Sequence, residues 1–588
     1  MNYNLLDTGE EKGQKSSTFA ALKKMWGLIR HERSTLYWAL AAITINSAIS
    51  LTGPFLIGHA IDTYIPKSDY HGLLVCTAIL AVLYLIAYAA NYLQMQLMGG
   101  IGQRMLYSLR NGVFHKLQEL PVDFFNQNKA GDLISRISND TDKVNQFFSQ
   151  SLMQFIGSLV GMIGAGAFLL TINFQLGLAA LCPALVIWIF TQLISPLVKR
   201  RNAANLKSVG ELSAEVQESL NNFKVIIAFN RRDYFRQKFE EANSENYRTA
   251  LKAGILNNIF LPVYSLASHL GQLVVLTMGI YLIIKGSFTI GVLISFLSYV
   301  NSFYGPLRSM ATLWSGFQLA MAAWDRIAGI LSLSNNLVVK KESACGSDTG
   351  AYMAFKNVTF SYPNGKEVLH HVSFELQKGK TYAFVGPTGG GKTTTASLIA
   401  RLYDASKGLV LLDGKDIRSY TPEERTRKIG FILQEPFLFA GTVRDNILYG
   451  NEPLAQLSNE ELSERIAEVG LNSLLTRFDE GLDAPVQTNG DGISLGQKQL
   501  IAFMRAVLRK PELLILDEAT ANIDTITEQL LDEILQKLPR ETTRVIIAHR
   551  LNTIENADEI FFVNSGKVIR AGSLADAVNL LLHGKRDS

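Results

Sequence analysis

Thr381-Tyr382-Ala383-Phe384-Val385-Gly386-Pro387-Thr388-Gly389-Gly390-Gly391-Lys392-Thr393-Thr394 is the stretch that decides how the C-terminal part of this chain is built. Five β-prone residues, Thr381–Val385, run into a glycine-rich turn, and the turn opens a helical segment from Lys392 to Leu402. Strand, flexible loop and helix in that order form a cradle for a phosphate chain. The glycines let backbone N–H groups curl round phosphate oxygens, Lys392 adds a point charge for the outer phosphates, and the Thr393 hydroxyl is placed for Mg²⁺.

Downstream, Leu513-Leu514-Ile515-Leu516-Asp517-Glu518 is an apolar strand ending in two carboxylates. With a phosphate cradle in the same domain, Asp517 is placed to hold Mg²⁺ through water and Glu518 to act as general base on an attacking water. Around these two motifs, from Ala351 onward, short β-rich runs alternate with helical ones: Tyr382–Val385, Leu409–Leu412, Lys428–Leu433, Leu513–Leu516 and Arg544–Ile547. The pattern predicts an α/β domain over 351–588 with a mainly parallel sheet. A polar stretch without periodicity, 335–350, reads as the linker that precedes it.

The N-terminal part is of another kind. Charged residues make up 18% of the 588, below the roughly 25% of soluble domains, and the chain is too long for one core. Six uncharged apolar stretches account for the deficit: Leu36–Ile57, Gly72–Met98, Leu152–Ile172, Leu176–Ile194, Ile259–Ile284 and Phe288–Phe303. Most approach the roughly 20 residues that cross a bilayer as a helix, and the short last one has room to continue through Arg308 toward Arg326. An all-α transmembrane domain of six helices over 1–334 follows, with Thr18–Arg30 as an amphipathic helix in the membrane interface before the first span.

The loops Ile101–Ser151 and Ser195–Asn258 are long and carry most of the loop Lys and Arg, so both termini and both long loops are expected in the cytoplasm. The long loops read as helical, for example Val209–Glu241. The net charge of +4 forms no basic face, which argues against a nucleic-acid partner. Cys76, Cys182 and Cys345 are scattered and have neither disulfide nor metal spacing.

On the two motifs and the six spans together, the chain resembles the ATP-binding cassette family, and within it exporters whose membrane domain comes first. The remaining motifs of that family occur in its order. Phe360-Ser361-Tyr362 resembles the loop whose ring, here Tyr362, stacks on adenine. Ile432-Leu433-Gln434-Glu435-Pro436 resembles the Q-loop, with Gln434 approaching Mg²⁺ and the water. Ser494-Leu495-Gly496-Gln497 resembles the signature, Ala521-Asn522-Ile523-Asp524 the D-loop, and Ala548-His549-Arg550 the switch, with His549 on the γ-phosphate.

The resemblance implies that ATP is clamped between the cradle of one chain and Ser494, Gly496 and Gln497 of another, so that two half-transporters work as a dimer. Pro121–Phe125 and Gly131–Arg136 with Asn139-Asp140 resemble the first cytoplasmic loop, whose short coupling helix docks on a nucleotide-binding domain. Ala214–Asn221 is the expected second coupling helix.

The signature departs from the family's Leu-Ser-Gly-Gly-Gln: it reads Ile493-Ser494-Leu495-Gly496-Gln497, with Leu495 where a glycine is usual. With Lys392, Gln434, Asp517, Glu518 and His549 intact, this resembles the catalytically complete subunit of bacterial heterodimeric exporters; a homodimer is the alternative. Spans that are apolar and aromatic, with scattered Asn46, Asn91, Gln94, Asn258, His269 and Gln272, favour an amphipathic cargo, drug or lipid. Peptide export and an ATP-gated channel are the other readings, and transport into sealed vesicles separates pump from channel.

Overall fold

The computed structural model describes residues 3, 32–335, 337–340, 350–363, 365–487, 490, 492–517, 525–547, 556–571, 575–576 and 579–580. The interfacial helix expected over Thr18–Arg30 and most of the 335–350 linker lie outside them. The chain forms two compact units. One gathers 12–118 and 131–332; the other gathers 1–11, 119–130 and 333–588.

The first unit is helical. Six helices are long and apolar enough to cross a membrane. They are α1 (Arg33–Thr63), α2 (Tyr70–Glu119), then, after the six-residue α3 (Val122–Gln127) of the other unit, α4 (Ala130–Ile172) and α5 (Phe174–Asn221). After the short α6 (Phe223–Ala228) come α7 (Arg232–Ile284) and α8 (Ile290–Leu331). At 1.5 Å per residue the 50 residues of α2 extend roughly 75 Å, more than twice a ~30 Å hydrocarbon core. The long basic loops are thus continuations of the spans.

The helices start and cross where the sequence provides donors and acceptors. At the start of α8, Thr289 caps Val292, and the Asp62 carboxylate at the end of α1 accepts from the Thr289 hydroxyl (2.6 Å) and the Gly291 N–H (2.8 Å). A carboxylate there also offsets the positive helix end. Beside Pro54 of α1, α8 is tied to α1 by two side-chain donors: Ser295 to the Pro54 carbonyl and Tyr299 to that of Leu51, both 2.7 Å. Outside the apolar zone, Arg326 of α8 grips the buried Asp140 of α4 with two bonds of 2.6 and 2.7 Å.

Two expectations are corrected. Val209–Glu241 is not one helix: the chain turns at the Asn221-Asn222 pair and again at 229–231, where Asn230 takes a left-handed φ of +50°. Consequently Ala214–Asn221, the expected second coupling helix, is the last two turns of α5. The separate short helix is α6, and it bares Phe223, Val225 and Ile227.

The second unit holds three sheets. β1 (Met353–Ser361), β2 (Glu367–Leu376), β4 (Lys407–Leu412) and β5 (Lys415–Asp416) form an antiparallel sheet in the order β2-β1-β4-β5. The main sheet has the order β12-β11-β3-β10-β9-β6. It contains β3 (Thr381–Val385), β6 (Ile429–Ile432), β9 (Leu513–Asp517), β10 (Thr543–Ile547), β11 (Glu559–Asn564) and β12 (Lys567–Arg570). All its pairings are parallel except β11 with β12. β7 (Gly441–Thr442) and β8 (Pro485–Val486) make a two-stranded piece.

Every residue of β3 and β9 is buried, which fits their unbroken apolar runs. One core packs the two sheets together with α9 (Lys392–Ile399). Another packs the opposite face of the main sheet against the helical part, which includes α10 (Val443–Leu448), α11 (Asn459–Glu468) and α12 (Leu495–Val507).

Candidate nucleotide site

In the main sheet β3, β10, β9 and β6 are neighbours and point the same way. Their C-terminal ends therefore meet at one sheet edge, where ligands of parallel α/β sheets bind. That edge receives the glycine loop after Val385, Asp517 as the last residue of β9, and Gln434 two residues beyond β6. Pairing of Ile432 with Leu516 and of Ile547 with Asp517 aligns these ends within a residue or two.

The loop is shaped by what a side chain would strike. At Gly386, with φ of +150°, a Cβ would come within 2.0 Å of the Val563 carbonyl oxygen; at Gly391, with φ of +112°, it would meet Leu369 at 2.8 Å. Neither position accepts an L side chain, so the backbone is free to approach a phosphate chain closely. Gly391 also caps α9, putting the helix N-terminus behind the loop.

Lys392 is 6% exposed, and its ammonium donates to the carbonyls of Gly386 (2.8 Å) and Pro387 (3.2 Å), which holds it over the loop. Thr393 Oγ1 donates to Asp517 Oδ1 at 3.3 Å, and Asp517 is 3% exposed. A hydroxyl and a carboxylate at this spacing are hard oxygen donors of the kind Mg²⁺ takes. Gly389 and Gly390 complete the loop beside Thr388.

Tyr362 stands just beyond β1. Its hydroxyl pairs with Thr394 Oγ1 at 3.1 Å, which ties the ring to the first turn of α9. Phe360 and Tyr403 pack against it nearly at right angles, with centroids 4.9 and 5.3 Å away, which holds the ring in place. Tyr403 is a member that sequence reading missed. Its hydroxyl accepts a 2.7 Å hydrogen bond from the amide of Asn126 in α3, 277 residues away. Burial pushes the Tyr403 hydroxyl above the ordinary tyrosine range, with the Asn126 bond opposing, so it remains neutral across physiological pH.

The signature residues form their own device. Ser494 caps α12 by accepting from the Gln497 N–H at 3.2 Å, while Gln497 Oε1 accepts from the Ser494 N–H at 3.0 Å. Gln497 Nε2 donates to the Arg477 carbonyl at 2.8 Å. Leu495 is the first helical residue and is 38% exposed. Among the described residues no hydrogen bond joins Ser494, Gly496 or Gln497 to the glycine loop of the same chain. Glu518, Asp524 and His549 lie outside the described residues, though Glu518 follows Asp517 directly and His549 comes two residues after β10.

Comparison with known proteins matches residues 36–307 to the ABC transporter transmembrane region and residues 369–521 to the ABC transporter domain. The chain is 33% identical over 564 residues to an uncharacterized ABC transporter ATP-binding protein, YfiC, of Bacillus subtilis, covering 96% of this chain and 93% of that protein. It is 32% identical to a probable multidrug resistance ABC transporter ATP-binding/permease protein, YheH, of the same organism, over 82% of this chain and 72% of that one. It is 30% identical to an ATP-dependent lipid A-core flippase of Syntrophus aciditrophicus, over 96% of this chain and 92% of that one. A membrane-spanning unit joined to a glycine-loop sheet, matched along nearly the whole length, places the chain in the ABC transporter family, as a multi-pass membrane protein whose ATP-binding domain is an ATPase coupled to transport.

Proposed function

We propose that this chain is one half of an exporter that moves amphipathic compounds, drugs or lipids, from the cytoplasmic side by alternating access. The observation that carries the reading is the union, in one chain, of the Lys392–Thr393–Asp517 constellation with six apolar spans free of charge. Relatives named for multidrug resistance and for lipid A-core support drugs or lipids as the cargo class. Both termini lie in the cytoplasm on this reading, because the basic residues sit in the long helical extensions.

In the site, Lys392 binds the outer phosphates, Tyr362 stacks on adenine, and Thr393, Asp517 and Gln434 hold Mg²⁺. The metal supplies charge neutralisation on the phosphate oxygens. Glu518 takes the proton of the attacking water, and His549 hydrogen-bonds the γ-phosphate. Ser494, Gly496 and Gln497 serve the ATP of a second chain, with Asp524 at the junction. The capped N-terminus of α12 has the polarity to receive a γ-phosphate. Nucleotide that binds both faces favours the closed pair, and hydrolysis removes the bridging group.

The second chain is proposed to be an unlike half-transporter. Leu495 brings a bulky side chain to the helix end meant for phosphate, while the cradle of the same chain keeps its full set. Such a chain gains from a partner whose signature is intact.

The test is purification of the complex from its native host and reconstitution into proteoliposomes. Two subunit masses in equal amounts are expected, together with ATP-driven accumulation of an amphipathic dye that Lys392→Ala abolishes. A single mass removes the unlike partner, and accumulation indifferent to Lys392→Ala removes the pump.

A further inference from the structure

Polar side chains in a membrane-spanning helix usually find each other, because lipid offers no partners. In the helical unit, Gln272 donates to Asn301 at 2.5 Å. One group breaks this habit. Asn46 and Ser50 of α1, Asn91 and Gln94 of α2, and Gln154 and Ser158 of α4 line a single cavity of about 320 Å³. Among the described residues, none of these six side chains makes a hydrogen bond within the protein.

Among the described residues, no acidic, basic or histidine side chain lines the cavity. Its depth owes something to Gly161, where an added Cβ would meet nothing within 4 Å. Asn91, Gln94, Gln154 and Ser158 all belong to the ends of the spans that continue into the long basic extensions.

Four carboxamides and four serine hydroxyls, Ser47 and Ser302 among them, offer donors and acceptors in about equal measure and no net charge. Such a lining satisfies a ligand that also carries both, such as a cluster of hydroxyl or amide groups. It gives an anionic head no cation to pair with, and desolvating that head here has no compensation. Apolar spans all around suit an attached chain or ring.

Building on the exporter reading, we propose that this cavity binds the uncharged, hydroxyl-rich head of an amphipathic cargo, with a neutral glycolipid as the type. The head enters at the end of the spans nearest the basic extensions, and its acyl chains stay in the surrounding apolar zone.

The test uses the full complex in phosphatidylcholine nanodiscs and two fluorescent probes with the same acyl chains, a monoglucosyl-diacylglycerol and a phosphatidylglycerol. The glucosyl probe should bind at least tenfold more tightly. Asn91→Leu and Gln94→Leu should each weaken it tenfold or more, and Gly161→Leu, which fills the space without removing a polar group, should do the same. Thr277→Val, which alters a lipid-exposed hydroxyl bonded only to its own helix at Leu273, should leave binding unchanged. Equal affinity for the two probes, or glucosyl binding that survives all three cavity variants, overturns the proposal. If phosphatidylglycerol is preferred and is moved in an ATP-dependent way in proteoliposomes, the pump stands and this cavity assignment falls. If the glucosyl probe binds as expected but no probe is moved by ATP, the exporter reading falls and the binding site stands.

Discussion

Arg401 is 1% exposed, and its guanidinium reaches five acceptors: Asp404 at 3.0 Å and the carbonyls of Val338, Ile417, Arg418 and Tyr420 at 3.1 to 3.4 Å. It therefore ties the end of α9, which starts at the phosphate loop, to the strand β5 region and to the first linker residues. A buried cation of this kind is tolerated because each of its three nitrogens has a partner. Arg401→Met keeps the stem and removes the fork, leaving Asp404 without its cation and the buried carbonyls of Ile417 and Tyr420 short of a donor. A loss of about 2–4 kcal/mol is expected, read as a fall in the apparent thermal midpoint of the purified complex. A midpoint within one degree of wild type contradicts this account of Arg401. Sequence offered no hint of the role, because an arginine after a helix is ordinarily a solvated one and its acceptors are backbone groups up to 63 residues away.

Among the elements, α3 is the one whose placement changes the reading of the chain. It comes between two membrane spans in sequence, yet it groups with the ATP-binding unit. Asn128 of its C-terminal cap donates to the carbonyls of Phe124 and Tyr3, and Tyr3 also donates to Ser334, so the segment is held from several sides. From α3 the amide of Asn126 reaches Tyr403, Tyr403 packs on Tyr362, and Tyr362 bonds Thr394 at the phosphate loop. This chain of contacts joins α3 to the phosphate loop, and with Tyr362 as the proposed adenine ring it is a route from nucleotide to α3. Tyr403→Phe keeps the rings and removes one hydrogen bond worth about 1 kcal/mol, a factor of about five. The expected result is a fall in cargo moved per ATP hydrolysed of up to about that factor, measured in proteoliposomes with both quantities followed together. If transport and hydrolysis change in equal proportion, α3 carries no coupling through this bond.

At the scale of the whole molecule, the parts written in local pattern were legible and the parts made by meeting at a distance were not. Hydropathy located all six spans, and Gly386–Thr393 announced its own strand, loop and helix, because both signals lie within about twenty consecutive residues. The separate short helix α6 lies about two turns beyond the expected Ala214–Asn221, since helical periodicity runs on through that segment and only the paired asparagines stop it. Asn126 beside Tyr403, and the polar groups that line the cavity between the spans, arise from tertiary packing that no window captures. The parallel strand ends carry the last prediction. They bring Asp517 beside the phosphate loop, and Glu518, the proposed base, is the next residue in the sequence. Glutamine at 518 keeps the size and polarity of the side chain but accepts no proton. Under the paired mechanism, binding drives closure and hydrolysis drives reopening, so Glu518→Gln should separate the two. ATP should be retained on the reconstituted complex, phosphate release should fall by at least about a hundredfold, equivalent to about 2.7 kcal/mol of barrier, and cargo movement should fall with it. Retention of labelled ATP, phosphate release and cargo uptake in one preparation make the measurement. Wild-type turnover with wild-type transport in that variant would remove Glu518 from the chemistry and, with it, the link between hydrolysis and reopening.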